Sequence, residues 1–132
     1  MIARALSSVL ATLLVVGCAL QRPEESAFGA TPRAYEQASG DAVLNLLANS
    51  WAVPHKEPPQ ILRVAPPVRA YQNDVRESGG RVLWSGWMTA VTCKVKNRVG
   101  YSNTDVFYVQ FDGDKVHSVT GANLTRVNIS LF

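Results

Sequence analysis

The sequence predicts an α+β domain in which one or two short helices precede a four-stranded antiparallel meander. Three observations lead there. Ala42, Val43, Leu44, Leu46, Leu47, Ala48 and Trp51 recur at helical spacing. From Arg81 onward, apolar and polar residues alternate with period two in successive runs broken at glycines. Between these regions Pro54, Pro58, Pro59, Pro66 and Pro67 exclude a long helix and a central strand.

The chain opens on a short apolar run. Arg4 and the amino terminus supply positive charge, Leu6 to Val16 is apolar apart from Ser7, Ser8 and Thr12, and Gly17-Cys18 offers a narrow cleavage site. As a helix, this run of about 11 residues would reach roughly 16 Å, against a hydrocarbon core of about 30 Å, so it is too short to span. Leu14-Val15-Val16-Gly17-Cys18 resembles the lipobox of bacterial lipoprotein precursors, with Val at a position where such signals favour Leu. The resemblance implies that residues 1–17 are a signal peptide and that Cys18 becomes the acylated first residue of the mature chain. More than one acyl chain, at about 0.8 kcal/mol per buried CH2, anchors stably where one is marginal. Ala19 stands where Asp would favour the inner membrane, which implies a lipid-anchored protein of the outer membrane with its domain facing the periplasm. An ordinary secretory cut after Gly17 or Ala19, with Cys18 irrelevant, is the alternative.

Removing 17 of the 132 residues leaves 115, enough for one domain and a tether. The net charge of +3 reflects scattered Lys and Arg and no polybasic tract, which is weak support for any acidic partner. With Cys18 consumed by the anchor, Cys93 stands alone and no intramolecular disulfide is expected. Residues 18–39 carry Pro23, Gly29, Pro32 and Glu24-Glu25 without apolar periodicity, and they read as the lipidated cysteine and a flexible tether. The domain is expected over 40–132.

Ser39-Gly40-Asp41 provides N-cap chemistry for a helix of about three turns ended by Pro54, packed on a sheet. In the proline-punctuated stretch, Ile61-Leu62-Arg63-Val64 supports at most an edge strand over 60–64 within an extended arm. Tyr71 to Glu77 reads as a short helical turn stopped by Ser78-Gly79-Gly80. Along 81–97, Val82 and Trp84 are out of phase with Trp87, Val91, Cys93 and Val95, and a bulge at Ser85-Gly86 would bring both sets to one face. Phe107, Val109 and Phe111 form the next strand. Asp112-Gly113-Asp114 turns it so that Val116 and Ser118 join the same face, and Val127, Ile129 and Leu131 form the last strand.

Cys93-Lys94-Val95-Lys96-Asn97-Arg98-Val99-Gly100-Tyr101, followed by Phe111-Asp112-Gly113, is similar to a pattern in small bacterial secreted domains, where a Lys-Asn strand end and a Gly-Tyr loop lead into a hairpin. This chain lacks that pattern's paired glycines. The order of helix, proline connection and meander also resembles the small lipoproteins that assist outer-membrane barrel assembly.

Catalytic chemistry finds little footing. His55 and His117 lie far apart with no paired cysteine, so no zinc set or other cofactor site is expected. No Gly-x-Ser-x-Gly elbow serves acyl transfer. A Cys93–His117 thiol pair is conceivable, but the alternation of Cys93 with Val91 and Val95 predicts a buried structural thiol. Asp112 and Asp114 lack the further acidic ligands that calcium needs and read as turn residues.

One surface feature points to binding. Lys94, Lys96 and Arg98 repeat every second residue and project from one face, with Tyr101 close behind, as a row able to contact lipid phosphates, peptidoglycan carboxylates or an acidic protein. A plain solvated strand face is the competing reading. The sequence therefore predicts a membrane-anchored, non-enzymatic lipoprotein whose domain binds an envelope protein partner as an accessory subunit of a cell-envelope or secretion assembly. The alternative is an inhibitor of a hydrolase such as lysozyme. Nucleic acid is excluded by the expected compartment, and no small-molecule substrate is indicated.

Overall fold

A single 15-residue strand, β3 (Val82–Lys96), organises the fold. The computed structural model describes residues 21–49, 58–76, 79–96, 99–121 and 127–132. Before β3 come a 3-10 turn (Glu25–Phe28), helix α1 (Tyr35–Ala48), β1 (Gln60–Val64) and β2 (Val68–Asn73); after it come β4 (Ser102–Asp112), β5 (Lys115–Thr120) and β6 (Ile129–Leu131). The strands form one sheet in the order β5-β4-β3-β2-β6, with β1 also paired to β3 and every pairing antiparallel. The α+β class stands, but with six strands in place of four.

The two extra strands come from the proline stretch and its sequel. β1 is the expected edge strand, paired with the second half of β3. β2 pairs with the first half, at Tyr71↔Ser85 and Ala70↔Gly86, so the helical turn expected at Tyr71 is a strand instead. The cross-strand ladders to β3 and β6 override the weak local preference there. Between β1 and β2 the Ala65 amide still donates to the Ala90 carbonyl at 2.9 Å. Pro66 and Pro67, lacking N–H groups, then interrupt the ladder.

β6 is also misplaced by a simple meander, because it pairs with β2 (Ala70↔Leu131, Gln72↔Ile129) and not with the neighbouring β5. Only β2 to β5 follow meander order. The hairpin turn at Gly113 is as expected, with Phe111↔Val116 paired. A register shift between Gln110 and Phe111 nevertheless sets Ser118 opposite Gln110, and Val119 takes the expected place beside Val109.

No bulge occurs at Ser85-Gly86. The register of β3 with β2 runs unbroken from Trp84 to Met88, its one shift lying between Val82 and Trp84, so successive side chains from Trp84 onward alternate between faces. Trp84 and Met88 therefore lie on one face and Val91 and Cys93 on the other. Each half of β3 is buried on a different side. On the helix face, Val43 and Leu47 of α1 pack with Val91, Cys93, Val109 and Phe111. On the opposite face, Ala70, Trp84, Met88 and Ile129 form a second cluster with Tyr108 and Val127 against it.

Helix α1 starts ahead of the expected cap. Ser39 and Gly40 lie inside it, buried, and the Ser39 hydroxyl shares a 2.7 Å hydrogen bond with Thr89 Oγ1 on β3. Small residues at this point let the helix approach the sheet, and the hydroxyl that would have capped an end is satisfied across the interface. The expected helix end at Trp51 and Pro54 lies outside the described residues.

The stretch expected as a tether is packed onto the sheet from Gln21 onward. Phe28 is 5% exposed, its ring 4.5 Å from that of Phe132. Glu25 pairs with Arg69 at 2.9 Å, the Trp87 indole donates to the Gly29 carbonyl at 3.2 Å, and Asn73 Nδ2 donates to the Gln21 carbonyl at 2.8 Å. The reason is aromatic: the Phe28 ring packs on Phe132, and the Arg69 guanidinium lies over both the Phe28 and the Trp87 rings. The folded unit thus begins ahead of residue 40.

Candidate binding site

The lysine row lies at the end of β3 remote from Gln21. Lys94 and Lys96 share a face by alternation, and their cross-strand partners on β4 are Thr104 and Ser102. Gln60 of β1 pairs opposite Lys94 on the other side. These registers bring Pro58, Gln60, Lys94, Val95, Lys96 and Ser102 around one open, mostly polar cavity of about 160 Å3. Lys94 is exposed and Lys96 half-buried. Among the described residues Lys94 makes no ion pair. Tyr101, 69% exposed, immediately precedes β4 and so stands at the same end of the sheet. Arg98 and Cys18 lie outside the described residues.

Two lysines, a glutamine and a serine contribute to this lining, a set rich in hydrogen-bond donors. Such a recess suits a carboxylate or phosphate. Sequence reasoning missed Pro58, Gln60 and Ser102, because only the β1–β3 and β3–β4 registers reveal them.

The structure separates the thiol and imidazole. Cys93 is fully buried on the helix face, whereas His117 stacks on Trp84 of the other face with ring centroids 6.1 Å apart. Burial, and then the charge of Asp105 in the cross-strand position, push the Cys93 thiol up from its ordinary 9.0. A thiol held this way is a poor nucleophile at neutral pH. Asp114 is occupied by the loop ahead of α1, its carboxylate accepting from the Arg33 amide at 2.8 Å. Among the described residues no cluster of three or more His, Cys, Asp or Glu is assembled.

A second recess lies near the middle of the sheet, on the face away from α1. Pro66, Val68, Met88, Ala90, Tyr108 and Leu131 contribute to its lining, and its volume is about 180 Å3. It is apolar and offers no convergent charged group. Among the described residues no helix is long and apolar enough to cross a membrane. No family model, curated protein or solved structure matches the chain.

Proposed function

We propose that this protein is a lipoprotein anchored through Cys18 in the outer membrane, whose α+β domain acts by binding as an accessory subunit of an envelope assembly. The reading rests on Leu14-Val15-Val16-Gly17-Cys18 closing a short apolar run. The observation that supports binding through the domain is the joint lining of one cavity by Lys94, Lys96, Gln60 and Ser102. These groups donate hydrogen bonds and positive charge. They favour an anionic partner held by charge-assisted hydrogen bonds.

The test compares the wild type with Cys18→Ser for intact mass and membrane fractionation, then cross-links the wild type in membranes. The expected result is a mass gain of diacylglyceryl and acyl groups, membrane association lost in the variant, and a cross-linked envelope protein whose yield drops with Lys94→Glu. Unmodified, soluble protein in both cases would sink the anchor. Inhibition of a purified hydrolase by the tetherless domain would replace the subunit role with an inhibitor.

A further inference from the structure

We infer that the lysine-lined cavity and the apolar recess are two ends of one site, which takes a fatty-acid carboxylate with its head at the lysines and its chain in the recess. The inference rests on the reading that the cavity holds an anion. From Met88 to Lys96 the register of β3 with β4 is unbroken, so Met88, Ala90, Thr92, Lys94 and Lys96 share the face away from α1. Met88 and Ala90 line the recess, and Lys94 and Lys96 line the cavity. Ala90 and Lys94 stand roughly 13 Å apart along the strand at about 3.3 Å per residue. Between them lies the cross-strand pair Thr92 and Val106, both half-buried.

The head end is cationic and faces no acid. Arg63 of β1, exposed, pairs opposite Thr92 and so joins the lysines on this face. The positions of this face from Met88 to Lys96, with their cross-strand partners on β1 and β4, carry no Asp or Glu. Asp105 pairs opposite Cys93, on the face of α1. Among the described residues Arg63 and Lys94 make no ion pair. The other end is apolar, with Val68 and Leu131 46% and 63% exposed at the recess. Its volume of about 180 Å3 compares with about 150 Å3 for an apolar cavity that admits benzene, which is room for part of a single alkyl chain. A free anion would leave the recess unmatched, and a neutral lipid would leave the cations unmatched. A single-chain carboxylate of medium length meets both.

The test photolabels the full-length protein, held in phosphatidylcholine nanodiscs, with a dodecanoic acid carrying a terminal diazirine, and maps the labelled residues by mass spectrometry. The expected result is labelling at Met88, Tyr108 or Leu131 that laurate competes away and that acetate and dodecanol do not. Lys94→Glu and Leu131→Asp both replace exposed side chains, and each should lower the labelling about fivefold or more. Labelling that dodecanol competes equally, or that Lys94→Glu leaves unchanged, overturns the inference, as does a recess without label. If the recess takes no label while Lys94→Glu still lowers the yield of a cross-linked envelope protein, the face belongs to a protein partner and this inference alone fails. If Lys94→Glu changes neither, the reading of the cavity as an anion site fails with it.

Discussion

Replacing Gly86 by alanine should be among the most damaging single-methyl changes in this protein. Gly86 lies in β3 on the face of Trp84, whose indole N–H reaches past it to the Phe111 carbonyl at 3.2 Å. A Cβ built on Gly86 would stand 2.6 Å from that carbonyl oxygen and 3.0 Å from Trp84 Cζ2. The first obstacle is backbone of β4 and cannot swing aside. Relief must come from separating β3 and β4 locally or from expelling the indole. Overpacking of this kind costs about 1–3 kcal/mol. A buried indole N–H left without its acceptor costs about 1–3 kcal/mol more. The two overlap, since one displacement causes both, so about 2–4 kcal/mol is expected. Small domains have about 5–15 kcal/mol in total. In thermal unfolding this corresponds to a fall in Tm of roughly 10–25 °C. Gly121→Ala is the control, because nothing lies within 4 Å of its would-be Cβ and it should shift stability by less than about 0.5 kcal/mol. A Gly86→Ala protein as stable as Gly121→Ala would refute the close approach of Phe111 to β3.

Other changes probe the remaining joints. Ser39→Ala should cost about 1–3 kcal/mol in urea unfolding by leaving the Thr89 hydroxyl buried and unpaired, and Thr89→Val added to it should cost little further; additive losses would argue against the 2.7 Å bond. Phe28→Ala should cost about 3 kcal/mol and expose the chain before α1 to limited proteolysis, whereas Glu25→Gln, with the carboxylate largely exposed, should change stability by no more than about 1 kcal/mol. Equal effects would contradict docking through the aromatic cluster. For Cys93, the folded thiol titrates above its ordinary 9.0, so the unfolded chain loses its proton first. The thiol's contribution to stability is complete below 9.0 and is lost as pH rises from there through the raised folded value. Iodoacetamide at pH 8 should modify native Cys93 about a hundredfold or more slowly than in urea, and comparable rates would show the thiol to be accessible.

What was legible in the sequence was local. The apolar stripe of α1, the alternation of β4, the Gly113 turn and the lysine row all follow from side chains that neighbour one another along the chain. What was not legible depended on partners distant in sequence. The phase change between Trp84 and Val91 looks like a bulge because one buried face is assumed. In fact each half of β3 is buried on its own face, and no periodicity distinguishes a bulge from that arrangement. Ser39-Gly40 reads as a cap only while Thr89, fifty positions away, is unknown. β2 and β6 pair with each other, and their order is set by which sheet edge is free. The binding candidate divides the same way, with Lys94, Lys96 and Tyr101 visible in advance and Gln60 and Ser102 supplied by register.

The docked segment 21–29 would shorten the tether of a domain anchored at Cys18. A free tether of about 20 residues has an r.m.s. span of roughly 25 Å and lets a domain search in every orientation. Three Cα steps from Cys18 to Gln21 reach at most about 11 Å. An anchor at Cys18, as proposed above, would keep the domain close to its membrane. Phe28→Ala should therefore weaken cross-linking to a membrane partner while leaving the affinity of the tetherless domain unchanged. Equal losses in both formats would assign Phe28 to the stability of the domain and not to the length of its tether.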